Sequence, residues 1–450
     1  MSSPLINLLR GWPNENLLPA SLLKNAASRA LSDPAIWQSG LEYGPDPGHQ
    51  PLRRAVAAWL TDFYDPQQPV QSDRITITGG ASQNLACLLQ VFSDPAFTRN
   101  VWISSPAYML AFRIFDDAGL HAKLRSVPED ESGMDDAYLR REIERSEERA
   151  RRQGNNKPLF KPSRPWAKVY RHIIYCVPSF SNPSSISMPL ARREKLVRLA
   201  REYDALIVTD DVYDFLQWPA DLTHLIPRKA NLPRLVDIDR FLDGGAERQG
   251  ADGFGNVASN GSFSKICGPG LRTGWVEGTP SLANGVSQTG STRSGGAPSQ
   301  LTSTYISLML ETGELQRHVH ETLQPAYGSR YRTMMTAIDA LLVPLGVTLP
   351  QSTPIVGGYF VWLTLPAPLK GADVARLAKE ENLIVAEGDM FQVPGDSTVS
   401  FPCDIRLCFS YEPEANLTAG IERLAARVRH SEPLAVISAP LDSEPPPHWQ

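Results

Sequence analysis

The residue in this sequence best suited to covalent chemistry is a lysine set among small polar side chains. In Ser262-Phe263-Ser264-Lys265 an amine follows two hydroxyls, and Gly270-Leu271-Arg272 with Gly274-Trp275 puts an arginine seven positions further on. A lysine amine condenses with carbonyl carbons, and burial beside positive charge lowers its pKa enough to keep it nucleophilic. A solvated lysine in a Gly-rich turn is the plain alternative for Ser-x-x-Lys alone. Asp210-Asp211-Val212-Tyr213 follows the apolar run Ala205 to Thr209, so a carboxylate projects from a strand end, with Asp210 and Asp211 both open as the acting residue. Asn182, in Pro178-Ser179-Phe180-Ser181-Asn182-Pro183, follows the run Ile173 to Val177 and is on its own a turn signal. Gly79-Gly80-Ala81-Ser82-Gln83 joins the run Arg74 to Thr78 to an apolar helical pattern through Leu85, Leu88 and Leu89. Small residues at a helix start bring free backbone N-H groups to a phosphate, although a plain connection reads the same. In Ile405-Arg406-Leu407-Cys408-Phe409 one arginine stands in an apolar strand. If buried it needs an anion, and its planar fork suits a carboxylate; a strand-edge arginine is the other reading.

These residues must be positioned by something, and the pattern around them is α/β. Short runs rich in β-branched residues, Arg74 to Thr78, Val101 to Ser104, Ile173 to Val177, Ala205 to Thr209 and Thr273 to Val276, alternate with helical periodicity. That alternation predicts a mostly parallel sheet covered by helices. Ligands bind such sheets beyond the carboxyl ends of the strands, where most of the residues above fall. A helix is predicted over Pro189 to Tyr203, with Pro in its first turn and Leu196, Val197, Ala200 and Tyr203 on one stripe. The stretches 129–165 and 219–256, rich in charge, Pro and Gly, read as surface insertions. After Gly313 a helical region through Arg332 and Met335 leads to strands at Gly357 to Leu365 and Ile405 to Phe409 and a last helix near Thr418 to Val428. The expected organisation is an N-terminal arm that also forms part of the small domain (1–40), a large domain (41–312), a smaller α+β domain (313–430) and a flexible tail (431–450).

Bulk properties remove other classes. The 450 residues, 42% hydrophobic, can bury a full core. A net charge of -5 gives no electropositive footprint for nucleic acid. The five cysteines are scattered, without metal or redox spacing, which predicts a reduced, cytoplasmic setting. Met1 to Arg10 has neither a basic leader nor a long apolar run, so no secretion or membrane insertion is expected.

Taken in order, the motifs resemble the pyridoxal 5′-phosphate (PLP) enzymes of aminotransferase class I/II, and the wording at Asp210 to Phe215 and Ser262 to Gly274 looks closest to the kynurenine/2-aminoadipate and aromatic branch. The resemblance runs from about Asn7 to Val428 outside the two insertions. It implies fold type I, with a mostly parallel seven-stranded sheet in the large domain. It implies that Lys265 holds the cofactor as a Schiff base, and that Gly80, Ala81, Ser82, Ser262 and Arg272 surround the phosphate. By the same resemblance Asp210, favoured by the tyrosine spacing, keeps the pyridine nitrogen protonated. Tyr213 and Asn182 reach the ring's phenolic oxygen, and Tyr108 stacks on the ring, unless it is an ordinary core aromatic. Where the family usually continues Asn-Pro with Thr-Gly, this chain has Ser184-Ser185. Tyr43, in Tyr43-Gly44-Pro45-Asp46-Pro47-Gly48, resembles the tyrosine that reaches the partner subunit's phosphate, which implies a homodimer. Arg406 matches the arginine that grips the substrate carboxylate, Gly11 borders the substrate, and Arg293, in the Gly/Ser-rich stretch Gly290 to Gly296, meets a distal acidic group or is simply a solvated loop arginine.

The activity implied is ping-pong transfer of an amino group from an L-amino acid, aromatic or 2-aminoadipate-like, to a 2-oxo acid. Two alternatives share the fold. One is a PLP lyase, decarboxylase or cyclase, since bond choice follows substrate orientation rather than these motifs. The other is a ligand-sensing domain of a transcription regulator, which would carry a DNA-binding module ahead of the fold, whereas about 40 residues precede Tyr43. A dead relative would be expected to lose the lysine or the aspartate.

Overall fold

The short β-branched runs pair into one central sheet. In the computed structural model, which describes residues 4–155, 160–221, 224–246 and 248–430, its strands are β1 (Ile75–Thr78), β2 (Asn100–Ser105), β3 (Leu124–Asp130), β4 (Gly133–Met134), β5 (His172–Cys176), β6 (Ala205–Asp210), β7 (Val257–Ser262) and β8 (Gly274–Glu277). They lie in the order β1-β8-β7-β6-β5-β2-β3-β4. Strands β7, β6, β5, β2 and β3 pair in parallel, and β8 runs antiparallel to both neighbours. The seven expected strands are joined by an eighth, the two-residue β4 that folds back on β3 at the edge.

Every residue of β5, β6, β7 and β8 is buried, as happens when both faces of a sheet are covered by helices. On one face Leu85, Leu88, Phe112 and Phe115 pack over Val101, Ile103, Ile173 and Val208. On the other, Leu139, Ile143, Leu196 and Val197 pack over Trp102, Ile174 and Ile207. Alternate residues of one strand thus feed different cores. The stretch 129–165, read as a surface insertion, contains the helix Asp136–Gln153, whose Leu139, Ile143, Ser146 and Ala150 are buried. One buried residue per turn is too narrow a stripe to stand out among its arginines and glutamates. Within 219–256 the helix Leu235–Phe241 is likewise docked, burying Leu235, Val236 and Ile238.

That second helix is held by ions. Arg234, 1% exposed, reaches Asp237 at 2.9 Å and Glu277 of β8 at 2.6 Å. Truncating one partner of a buried pair leaves the other charge without compensation. We expect Arg234→Ala to destabilise the fold by about 3–5 kcal/mol, read from the denaturation midpoint. A midpoint equal to that of the unaltered protein would show that the network relaxes.

Beyond Gly313, the helices Glu314–His318 and Gln324–Leu341 lead to an antiparallel three-stranded sheet, Phe360–Thr364, Asp404–Cys408 and Ala386–Glu387, with Asp404–Cys408 in the middle. The helix Glu414–His430 closes this layer. Near the N-terminus, Ile6–Asn7 pairs in parallel with Leu383–Ile384 and so ties the start of the chain to this layer. The predicted tail 431–450 lies outside the described residues. Among those residues, no helix is long and apolar enough to cross a membrane.

Candidate functional site

Strand ends converge on one place. The helix Ala81–Phe92 starts beyond β1, Tyr108 follows β2, Asn182 follows β5, Asp210 ends β6 and Lys265 follows β7. Because β8 is antiparallel, Arg272, two residues before it, stands at the same edge.

Lys265 is the centre of this cluster. Its Nζ donates to the carbonyl of Gly11 at 2.8 Å and lies 5.8 Å and 5.5 Å from the ring centres of Tyr213 and Tyr359. Burial, with Arg406 nearby, pulls its pKa down to about 8, although Cys408 and Asp210 oppose the shift. The neutral, nucleophilic form is therefore about a tenth to a fifth of the amine near pH 7–7.4, far more than an ordinary lysine offers. Gly11 is required here by space, since a Cβ on it would sit 2.7 Å from Cζ of Phe360.

Asp210 and Asp211 point to opposite faces, which settles which of the two stands in this pocket. Asp211 accepts from Thr209 at 2.7 Å and from Ser259, and its neighbouring charges are Arg234 and Arg193. Asp210 faces Lys265 and Tyr108. One of its oxygens, Oδ2, accepts from the Tyr175 hydroxyl at 2.9 Å, and the other, Oδ1, is buried without a partner. Burial first, then Asp211, raises its pKa to about 6 against the pull of Tyr175 and Lys265.

A cradle of backbone and small residues lies to one side. Gly80 has φ +104, a conformation that suits glycine, and a Cβ on it would meet Nη2 of Arg272 at 3.2 Å. No side chain caps the helix that begins at Ala81 and Ser82, so its first N-H groups are available to an anion. Asn84 pins this turn to the sheet by donating to Asn260 at 2.6 Å and to the Gly261 carbonyl at 3.0 Å. The Ser262 hydroxyl donates to that of Ser264 at 2.9 Å.

On the other side, Arg406 is 3% exposed. It donates to Oδ1 of Asn182 at 2.9 Å and to the Leu9 carbonyl, while its guanidinium carbon lies 4.1 Å from the ring centre of Phe360 and 4.8 Å from that of Phe391. Its Nε has no partner. The guanidinium therefore has no carboxylate of its own among the described residues, which leaves it a receptor for one. Tyr213 is buried against Tyr359 and Phe360, and Tyr108 is pushed up to about 12 by burial and Asp210.

The structure thus brings together Lys265, Asp210, Tyr213, Tyr108, Asn182, Arg406, Gly11, Gly80, Ala81, Ser82, Ser262 and Arg272. Two predicted residues are not brought in. Tyr43 is 90% exposed and lies beside Gly295. Arg293 is exposed on the same stretch and donates to Gln288. Within one chain, Arg293 meets no pocket group in this arrangement.

Sequence reasoning did not single out Tyr175, Ser264, Tyr359 or the rings of Phe360 and Phe391. Ser264 lies inside a motif already identified. The others are aromatic residues, Tyr175 and Phe360 in apolar strands, Tyr359 just before one and Phe391 at the end of the short helix Gly388–Phe391, indistinguishable in sequence from core.

As a whole the pocket suits a planar phosphate ester carrying an aldehyde and a basic ring nitrogen. The uncapped helix start and Arg272 fit the phosphate, the lone Oδ1 of Asp210 fits a ring N-H, and Lys265 fits the carbonyl carbon.

Comparison with known proteins agrees. A family model described as aminotransferase class I and II matches residues 13–424. The chain is 33% identical over 441 residues to an uncharacterised protein of Saccharomyces cerevisiae, covering 94% of this chain and 96% of that one. It is 27% identical to aromatic-amino-acid aminotransferase 1 of Thermococcus litoralis, over 95% of this chain and 89% of the relative. Among solved structures, the kynurenine aminotransferase of Pyrococcus horikoshii, in complex with PMP, matches with a TM-score of 0.75 and 26% identity, over 95% of this chain and 91% of that one.

Proposed function

The chain belongs to the class I and II aminotransferases and is a PLP-dependent transaminase of fold type I; from that premise we propose that it moves the amino group of an aromatic or 2-aminoadipate-like L-amino acid to a 2-oxo acid in ping-pong fashion. The observation that carries the site assignment is the buried amine of Lys265 facing Asp210, whose Oδ1 has no partner. The substrate class is supported by the aromatic-amino-acid and kynurenine aminotransferases among the similar proteins and by the aromatic walls around Arg406.

In this reading Lys265 holds the cofactor, and Gly80, Ala81, Ser82, Ser262 and Arg272 bind its phosphate. Tyr108 would hold the ring, and Tyr213 and Asn182 would hydrogen-bond it. The cofactor supplies an electron sink for the pair left at the substrate Cα. Arg406 binds the substrate carboxylate and, with Asn182, orients the Cα-H bond. The Lys265 amine would act as the base that takes up the substrate Cα proton and gives it back. Gly11, on the segment across the pocket, helps exclude water.

Tyr43 is assigned to the partner subunit's phosphate in a homodimer. Its exposure, together with that of Leu31 (50%) and Leu41 (63%), supports an interface on this side. Arg293 shares that patch, so its contact with a distal acidic group of the substrate is proposed across the same interface. The five free cysteines support a cytoplasmic setting.

The deciding experiment offers the purified holoprotein a panel of L-amino acids without acceptor. Transamination shifts the cofactor absorbance to the pyridoxamine form and releases a 2-oxo acid, and addition of a second 2-oxo acid reverses it. A product without the shift would overturn the reading in favour of a lyase or decarboxylase. In the same assay Arg406→Gln is expected to raise KM for the amino acid by about ten- to a hundredfold, the worth of a hydrogen bond to a charged group. An unchanged KM would remove Arg406 from substrate binding.

A further inference from the structure

Asp210 does not stand alone at its strand end. Tyr175, on the neighbouring parallel strand β5, lies opposite Val208 of β6, so its side chain shares a face with Asp210 two residues on. Its ring is 2% exposed and packs edge-on against Phe115, which fixes where its hydroxyl can reach. That hydroxyl donates to Oδ2 of Asp210 at 2.9 Å. Burial and the nearby carboxylate push the Tyr175 phenol well above its usual range, so it is a donor at every pH the protein meets.

We propose that Tyr175 is a positioning residue for the cofactor: its hydroxyl occupies one oxygen of Asp210, leaves Oδ1 as the acceptor for the ring N-H, and keeps that carboxylate ionised. The inference rests on the function proposed above and adds a residue to it. Its physical need is plain, since burial and Asp211 both favour the protonated acid, and a protonated acid cannot hold a pyridinium. The Val212 backbone N-H also favours the ionised form of Asp210, and the remaining side chains near it do not replace Tyr175. Tyr108, Tyr213 and Cys176 are all shifted upward and stay neutral around pH 7. The Lys265 amine is the remaining counter-charge, and it is consumed when the cofactor is bound.

The test measures PLP dissociation constants for the apoprotein, Tyr175→Phe, Asp210→Asn and the double variant, at pH 6 and pH 8. Tyr175→Phe keeps the ring and removes only the hydroxyl. It is expected to weaken PLP binding by about tenfold at pH 8, and by more at pH 6, because Asp210 without its donor takes up a proton at higher pH. In the Asp210→Asn background the same change should matter by less than about twofold, since coupled residues are non-additive. The cofactor phosphate's own titration is common to all variants and cancels in the ratios. Should Tyr175→Phe not fold, a fluorinated tyrosine at position 175, a stronger donor, is expected to tighten binding at pH 6. Unchanged affinity, a loss equal at both pH values, or a loss that persists beside Asp210→Asn overturns the role of Tyr175. If the unaltered apoprotein takes up no PLP, the functional reading itself fails, which is a different result.

Discussion

Lys265→Ala is expected to lower kcat/KM for transamination by at least about 10⁴-fold, the upper end of what one general acid-base group contributes, because this residue is also the one proposed to anchor the cofactor. The expectation follows from where the amine sits. It is enclosed by the Gly11 carbonyl and the rings of Tyr213 and Tyr359, and no second lysine approaches that enclosure among the described contacts. Its pKa of about 8 adds a pH signature. Burial destabilises the charged form, so the nucleophilic neutral amine grows as pH rises and is nearly complete above about pH 9. Reconstitution of the apoprotein with PLP should therefore accelerate by about tenfold per pH unit below pH 8 and level off above it. Borohydride reduction of the holoprotein should label Lys265 and no other residue. A label elsewhere, or a Lys265→Ala variant that retains a tenth of the activity, contradicts the assignment.

Much of this pocket was legible because the chemistry is local. Asp210 and Asn182 stand at or just beyond the end of an apolar run, and in an α/β sheet that is where side chains meet a ligand, whereas Lys265 stands out by its motif and Arg406 as the one charge inside an apolar strand. The strand between Lys265 and the sheet was not legible. Val257-Ala258-Ser259-Asn260-Gly261-Ser262 forms β7 in the middle of the sheet, yet it lacks the β-branched run that marks its neighbours. Its polar side chains have other duties: Ser259 donates to Asp211, and Asn260 donates to the Ala81 carbonyl. Site and network demands override propensity there. Tyr175 was invisible for a different reason. Its meeting with Asp210 depends on the pairing of β5 with β6, a register that no single strand's sequence carries. Tyr43 and Arg293 mark a third limit: Tyr43, expected to reach a partner subunit, and Arg293, expected to meet the substrate, are both exposed in this chain.

The segment over the pocket shows the same dependence on tertiary structure. The carbonyls of Leu9 and Gly11 accept from Arg406 and Lys265, and the Trp12 carbonyl accepts from Ser410 at 2.7 Å. Gly11 itself stands out in sequence, but the facing ring of Phe360 that requires it does not.

Asp210→Asn should leave the fold and the shape of the pocket in place and still lower kcat/KM by roughly 10²–10³-fold, the usual loss when a preorganised electrostatic group is removed from the reacting centre. The carboxylate is the only group in the pocket that combines a negative charge with an unpartnered oxygen among the described residues, Oδ1. Asparagine keeps the size and can still accept from Tyr175, but it cannot hold a proton on the ring nitrogen, and a neutral ring is a poorer electron sink. The loss should therefore fall on kcat more than on KM, because in the proposed site the substrate carboxylate is assigned to Arg406, which is held by Asn182. Asp211→Asn is the control. Its carboxylate faces Ser259 and Thr209 on the other side of the strand end, and its removal relieves the like charge that raises the pKa of Asp210. Asp211→Asn should accordingly lower the Asp210 pKa below about 6 and extend activity toward acid pH, the reverse of the Asp210 variant. If instead Asp211→Asn abolished turnover and Asp210→Asn spared it, the two carboxylates would have to exchange roles, and the assignment of the cofactor's ring nitrogen to Asp210 would fall with them.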